Sequence, residues 1–294
     1  MRGSGVYVTF QRYYHGGVPA SILSTTHAQF GLAYQRAGES NTEKLLLLHG
    51  IGSNSHSFAK QLADLGQSFD VVAWDAPGYG ASSDPPANYS MAEFADAAAA
   101  LLDVLGWQSA HVLGHSFGGV IAQMLHHRHA RRVRSLILAD TNAGTGSMPD
   151  AAERTRQRLS ELEQFGPRGL AERRAPNLAT SDAPAELVAQ LIEIMAQIRA
   201  PGYTAAALAM GATDLRGQLA RIDVPTLVLH GQRDTVIPLR TAEALAAAIP
   251  GAKLVTLRDA GHASNQQAPR AYNEAVRAFL TTATGRQAAM GSRS

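Results

Sequence analysis

The chain has 294 residues, 45% of them hydrophobic and 17% charged, a formal net charge of +2 and no cysteine. That composition belongs to a globular protein able to bury a sizeable core, and it excludes a disulfide framework, a thiolate zinc site and a cysteine nucleophile. The basic residues form no single run, which argues against a nucleic-acid footprint, and no apolar stretch reaches membrane-spanning length.

Val6-Tyr7-Val8-Thr9-Phe10 and Gln29–Gln35 carry β-type residues and predict early strands, with antiparallel pairing open to them. Lys44–Leu48 is a short apolar run ended by His49-Gly50, as expected of a strand buried on both faces of a parallel sheet. A helix is predicted over Ser57–Gly66. A second buried strand, Asp70–Trp74, runs into the turn formers Asp75-Ala76-Pro77-Gly78-Tyr79-Gly80. Ser90 can N-cap the next helix with Glu93 as its capping-box partner, and Gly106 stops that helix after Leu105. Ala110–Leu113 predicts a strand, Val120–Leu125 a helix, and Val133–Ala139 a further buried strand.

The alternation then stops. From about Ala143 to about Leu219 no strand is predicted; Asp150–Arg174, Ala185–Arg199 and Tyr203–Leu215 read as helices. The second has an amphipathic face of Leu187, Leu191, Ile194, Met195 and Ile198, of which Leu187, Leu191 and Ile194 read as seating the inserted helices rather than touching a substrate. The rhythm resumes with strand Thr226–His230, helix Leu239–Ile249, strand Lys253–Leu257 and a closing helix Pro269–Leu280. The expected class is α/β, a mostly parallel sheet with helices on both faces. Its core is divided into residues 1–142 and 220–283 by a helical insertion at 143–219, and 284–294 form a tail. Gly291–Ser294 reads as an expression-vector remnant, and Met1–Ser4 admits the same reading. The N-terminus lacks the basic-then-apolar pattern of a signal peptide, so a cytoplasmic protein with no membrane partner is expected.

Between a strand and a helix stands Gly114-His115-Ser116-Phe117-Gly118-Gly119, a G-x-S-x-G pattern. A turn this sharp needs small flanking residues, and it exposes the serine hydroxyl at a strand tip and a helix N-terminus. The free N–H groups and dipole there favour developing negative charge. A serine is a poor nucleophile without a base, and the base needs an orienting acid. Asp234 follows the strand Thr226–His230, and His262 follows the strand Lys253–Leu257. Ligands of open α/β sheets bind at the carboxyl ends of strands, so Ser116, Asp234 and His262 should share one edge. Asp140, after Val133–Ala139, is the competing acid; Asp234 is favoured because its Gly-x-x-Asp loop matches more of the pattern. His126, His127 and His129 sit together on one helix but have no carboxylate at ligand spacing, so they read as surface histidines and not as a metal site.

Leu48-His49-Gly50, Trp74-Asp75-Ala76-Pro77-Gly78-Tyr79-Gly80, Gly114–Gly119, Gly231-Gln232-Arg233-Asp234 and Gly261-His262 together resemble the α/β-hydrolases, over roughly residues 28 to 280. The resemblance implies an eight-stranded, mostly parallel sheet with an inserted helical cap. It also implies Ser116 as nucleophile, His262 as general base and Asp234 as its orienter, with the N–H groups of Ile51 and Phe117 as oxyanion hole. No cofactor and no metal are expected. A Ser rather than Asp nucleophile disfavours the dehalogenase and epoxide-hydrolase branches. Ala263 stands where C–C hydrolases commonly have Trp, and Ile51 where perhydrolases usually have an aromatic residue. The run Ala263-Ser264-Asn265, with Pro269 and Asn273, is similar to 3-oxoadipate enol-lactonases. A hydrolase of a small carboxylic ester or lactone therefore leads. C–C bond hydrolysis, perhydrolysis and a non-catalytic ligand-binding role stand as alternatives, and a homodimer is left open. Arg154, Arg156, Arg158, Arg168, Arg173 and Arg174 read as a solvated face, with recognition of a substrate carboxylate by one or two of them as the alternative.

Overall fold

Alternation along each strand divides the apolar residues into two cores. Leu46, Leu48, Val72, Trp74, Val112, Leu136, Leu138 and Val228 join one cluster, and Leu45, Leu47, Val71, Ala73, Leu113, Ile137, Leu227 and Leu229 join the other. Side chains of period two can fill both faces only if helices cover both. This is the arrangement in a computed structural model of the protein, which describes the backbone of residues 6–15, 18–27 and 31–291 and the side chains of 31–284.

The strands are β1 (Val6–His15), β2 (Val18–His27), β3 (Leu32–Ala37), β4 (Lys44–Leu48), β5 (Asp70–Asp75), β6 (Ala110–His115), β7 (Val133–Ala139), β8 (Thr226–Gly231) and β9 (Lys253–Leu257). They form one sheet in the order β1-β2-β3-β5-β4-β6-β7-β8-β9. Pairing is antiparallel from β1 to β5 and parallel from β5 to β9. The expected class is found, with nine strands among the described residues where eight were expected. The additional strand, β2, has Pro19 and a run of Ser and Thr, and no apolar run announces it. Its pairing with β1 and β3 supplies what local composition does not. Gln29 and Phe30 of the expected second strand lie outside the described residues, as do Met1–Ser4 and Ser292–Ser294 of the expected remnants.

The helices are α1 (Ala59–Leu65), α2 (Met91–Val104), α3 (Phe117–Arg128), α4 (Ala151–Arg174), α5 (Ala185–Met195), α6 (Ala200–Ala212), α7 (Leu239–Ala248), α8 (Ser264–Gln267) and α9 (Pro269–Gly291). Phe94, Val120, Ile121 and Leu245, from α2, α3 and α7, pack one face; Leu62, Tyr272, Val276 and Leu280, from α1 and α9, pack the other. The start of α2 carries both arms of a capping box, Glu93 N–H to Ser90 Oγ at 3.3 Å and Ser90 N–H to Glu93 Oε2 at 2.7 Å. Ser90→Ala should lower the unfolding free energy by about 1 kcal/mol, measured by denaturant titration; an unchanged midpoint would show that the cap contributes nothing.

Among the described residues, only helical elements lie between β7 and β8, and α4 is broken at Gly166-Pro167, where Gly166 has φ 64°. Arg199, before α6, ties this segment to the loop after β5. Its Nη1 and Nη2 donate to the Gly80 and Ser82 carbonyls, each at 2.5 Å, and Nε donates to Asp84 at 2.9 Å. No helix among the described residues is long and apolar enough to cross a membrane.

Candidate active site

The chain passes from β6 to α3 through a single residue, Ser116, held at φ 53° and ψ −117°. A side chain at positive φ is strained and persists only where its surroundings impose it. Here a Cβ on Gly114 would meet the Gly118 carbonyl oxygen at 2.1 Å, and one on Gly118 would meet the Leu48 carbonyl oxygen at 2.0 Å. Glycine is therefore a steric requirement at both positions. The Ser116 backbone is fastened by its N–H to the Ala139 carbonyl at 2.8 Å, and Thr141 Oγ1 donates to the Ser116 carbonyl at 2.5 Å.

The loops after β8 and β9 bring the other two candidates alongside. His262 Nδ1 lies 2.8 Å from Asp234 Oδ2, and His262 Nε2 lies 3.0 Å from Ser116 Oγ. Asp234 Oδ1 accepts the N–H groups of Val236 at 2.7 Å and Ile237 at 2.9 Å. An ionised carboxylate only accepts, so Nδ1 carries the proton and Nε2 is free to accept from the serine hydroxyl. Burial opposes charging His262, but the hydrogen bond and charge of Asp234 outweigh it and hold the imidazole above its ordinary pKa. Burial likewise works against the Asp234 carboxylate; the bonds from His262 and the two amides prevail and keep it below the usual range.

Asp140, the competing acid, is buried beside this line. Its Oδ1 accepts the Gly231 N–H at 2.7 Å and its Oδ2 accepts the Ser264 hydroxyl. It thereby pins the start of the loop that carries Asp234 and the chain just after His262. Burial pushes its carboxyl up to about 7. Asp140, His230 and Asp234 bring metal-ligand atom types within 4.8 Å of one another. Every carboxylate oxygen of the two aspartates, however, already receives an N–H or O–H donor. Through those bonds the two aspartates hold the surrounding loops.

The predicted oxyanion donors lie on the expected elements. A Cβ on Gly50 would come within 3.2 Å of Ser116 Cβ, so the Gly50-Ile51 backbone runs against the serine. Among the described residues the N–H groups of Ile51 and Phe117 make no backbone hydrogen bond. His49 braces the loop from behind. Its Nε2 accepts the Ala76 N–H at 3.0 Å, so its Nδ1–H donates to the Gly50 carbonyl at 2.9 Å. Asp75 accepts the N–H groups of Ser55 at 2.8 Å and Ala81 at 3.0 Å, which fixes the neighbouring turn.

A cavity of about 390 Å³ opens over Ser116 and His262. Leu191, Ile194 and Met195 of α5 line it, so this face does more than seat the helix; sequence periodicity could not tell a wall from a seat. Two of the three clustered histidines carry contacts that local spacing did not show. His126 is buried and contacts Asp223 at 3.0 Å, and half-buried His129 contacts Asp96 at 2.7 Å, so neither is a simple surface residue. No local signal marked Thr141 and Ser264 as a brace, because their partners lie 25 and 124 residues away.

A family model described as alpha/beta hydrolase fold matches residues 44–269. The chain is 30% identical to 3-oxoadipate enol-lactonase 2 of Acinetobacter baylyi over 259 residues, covering 87% of this chain and 95% of that protein. It superposes on a thermophilic esterase from Thermogutta terrifontis with a TM-score of 0.81 at 28% identity, covering 94% of this chain and 99% of that one. With the enol-lactonase from Burkholderia xenovorans the TM-score is 0.80 at 29% identity, covering 92% and 100%.

Proposed function

Because this chain belongs to the α/β-hydrolase family, we propose that it is a serine hydrolase that cleaves a small carboxylic ester or lactone through an acyl-enzyme. The observation that carries this reading is the line Asp234–His262–Ser116, with contacts of 2.8 and 3.0 Å. In the proposed reaction Ser116 Oγ attacks the carbonyl carbon while His262 Nε2 takes its proton. The Ile51 and Phe117 amides receive the oxyanion, a single such donor being worth about 100- to 1,000-fold in rate. His262 returns the proton to the leaving alcohol as the tetrahedral intermediate collapses. It then activates the water that frees the acid and Ser116. In a lactone the leaving oxygen stays attached, and the product is one hydroxy acid or its keto form. The esterase and enol-lactonase names of the relatives support this substrate range. In this reading residues 143–219 act as a cap that closes the cavity over a core formed by 1–142 and 220–283.

Labelling the native protein with a fluorophosphonate and locating the adduct by mass spectrometry tests the site. A panel of short-chain nitrophenyl esters and lactones tests the reaction. An adduct on Ser116 with turnover of the panel is expected; no adduct and no turnover would leave a ligand-binding role as the better account.

The pH dependence follows from the same geometry. His262 must be neutral to accept a proton, so kcat/KM should fall as pH drops through its pKa, above the ordinary imidazole value of about 6.5. The charge of Asp140 is one of the fields that raise that pKa. Asp140→Asn should therefore move the acid limb to lower pH, as read from kcat/KM against pH on a neutral ester. A limb that stays in place or moves up contradicts this account of Asp140.

A further inference from the structure

The cavity is lined by Arg154, Arg158 and Arg174 and by no Asp or Glu among the described residues. Arg154 is paired with Asp150 at 2.7 Å, and Arg174 with Glu161 at 2.8 Å. Arg158 is half-buried and, among the described residues, pairs with no carboxylate. It meets Tyr203: Nη1 donates to the phenol oxygen at 3.0 Å, and the guanidinium lies 5.8 Å from the ring centre. The other predicted candidates on α4 are occupied elsewhere. Arg156 pairs with Glu153, Arg168 with Glu193 at 2.6 Å, and Arg173 stacks 3.7 Å over Phe165.

We infer that Arg158 receives a carboxylate carried by the substrate, so that the preferred substrates are anionic esters or lactones; this rests on the hydrolase reading above. The Tyr203 bond occupies Nη1 and orients the guanidinium, leaving the Nε–Nη2 edge uncommitted. Elsewhere in this chain that same edge grips carboxylates in pairs of bonds: Arg36 on Asp70 at 2.8 and 2.8 Å, and Arg128 on Asp96 at 2.8 and 2.7 Å. A planar fork matches a planar carboxylate, and a cation without a counter-charge in a confined cavity is an incomplete site. The positive charge of Arg158 also opposes protonation of His262. An anion bound to Arg158 offsets that field and so favours the imidazolium that forms during attack.

The test uses mono(4-nitrophenyl) glutarate and its methyl ester, which differ only in the free carboxylate. The native protein should prefer the free acid in kcat/KM. Arg158→Gln should lower the acid-to-methyl-ester ratio by about 10- to 100-fold, the loss expected for a charge-assisted bond. Arg158→Lys, which keeps charge and loses the fork, should fall between, and Arg158→Glu should invert the preference. Arg156→Gln, away from the cavity, should leave the ratio at its native value. A ratio unmoved in Arg158→Gln and Arg158→Glu overturns the inference while leaving the hydrolase reading intact. Binding of free glutarate to the Ser116→Ala protein, measured by calorimetry, separates the two. Weaker binding in the Ser116→Ala, Arg158→Gln double variant supports the carboxylate site even if turnover is absent, and equal binding overturns it.

Discussion

Ser116→Ala is expected to lower kcat for a nitrophenyl ester by at least about 10⁴-fold, to a residual rate still above that of water alone. The size follows from the role. In the proposed role the hydroxyl forms the acyl bond, and it lies 3.0 Å from His262 Nε2, the nitrogen that would take its proton. Without it, the two amides and the cavity can stabilise only direct attack by water. Alanine keeps the Cβ, so the strained backbone at φ 53° is unchanged and the unfolding midpoint should stay close to native. Steady-state kinetics, fluorophosphonate labelling and thermal unfolding on the same samples check this. Loss of activity with loss of fold would not support the assignment, and full activity with retained fold would reject Ser116 as nucleophile.

The second large effect separates two aspartates that local sequence alone could not rank on physical grounds. Asp234→Asn should reduce kcat by about 10⁴-fold, the loss known for an orienting aspartate replaced by its amide. An amide can present an N–H to His262 Nδ1, which favours the opposite tautomer. Nε2 then carries the hydrogen and cannot take the Ser116 proton. Asp140→Asn leaves the 2.8 Å Asp234–His262 contact in place and changes His262 only through the surrounding field. Its loss at the pH optimum should therefore stay within about tenfold, alongside the shift of the acid limb. Equal losses for the two variants, or a larger one for Asp140→Asn, would move the orienting role to the strand β7 end. Kinetics across a full pH range is the required measurement, because a single pH would confuse a shifted limb with a lost function.

Much of this site was legible because its signals are short-range. The continuous apolar run at Lys44–Leu48 and the segment Lys253–Leu257 appear as strands with the expected boundaries. Ser90 and Glu93 form the expected capping box. The Gly114 and Gly118 requirement follows from sterics within one turn. The order Ser116, Asp234, His262, each just past a strand, placed all three at one sheet edge before any coordinate was known. Other features were out of reach. β2 has no apolar run and exists through its neighbours. His126 is buried, and its hydrogen-bond partner Asp223 lies 97 residues away.

By itself, then, the sequence determined the α/β class, the strained serine turn and the set of candidate side chains, since strand periodicity, caps and steric exclusion act between residues close in the chain. Only the tertiary structure decided that Asp234 rather than Asp140 contacts His262, which tautomer that contact selects, and that among the described residues Arg154 and Arg174 are paired with carboxylates while Arg158 meets Tyr203. Those choices turn on hydrogen bonds and ion pairs, whose energies depend on distances of a few tenths of an ångström between segments far apart in sequence.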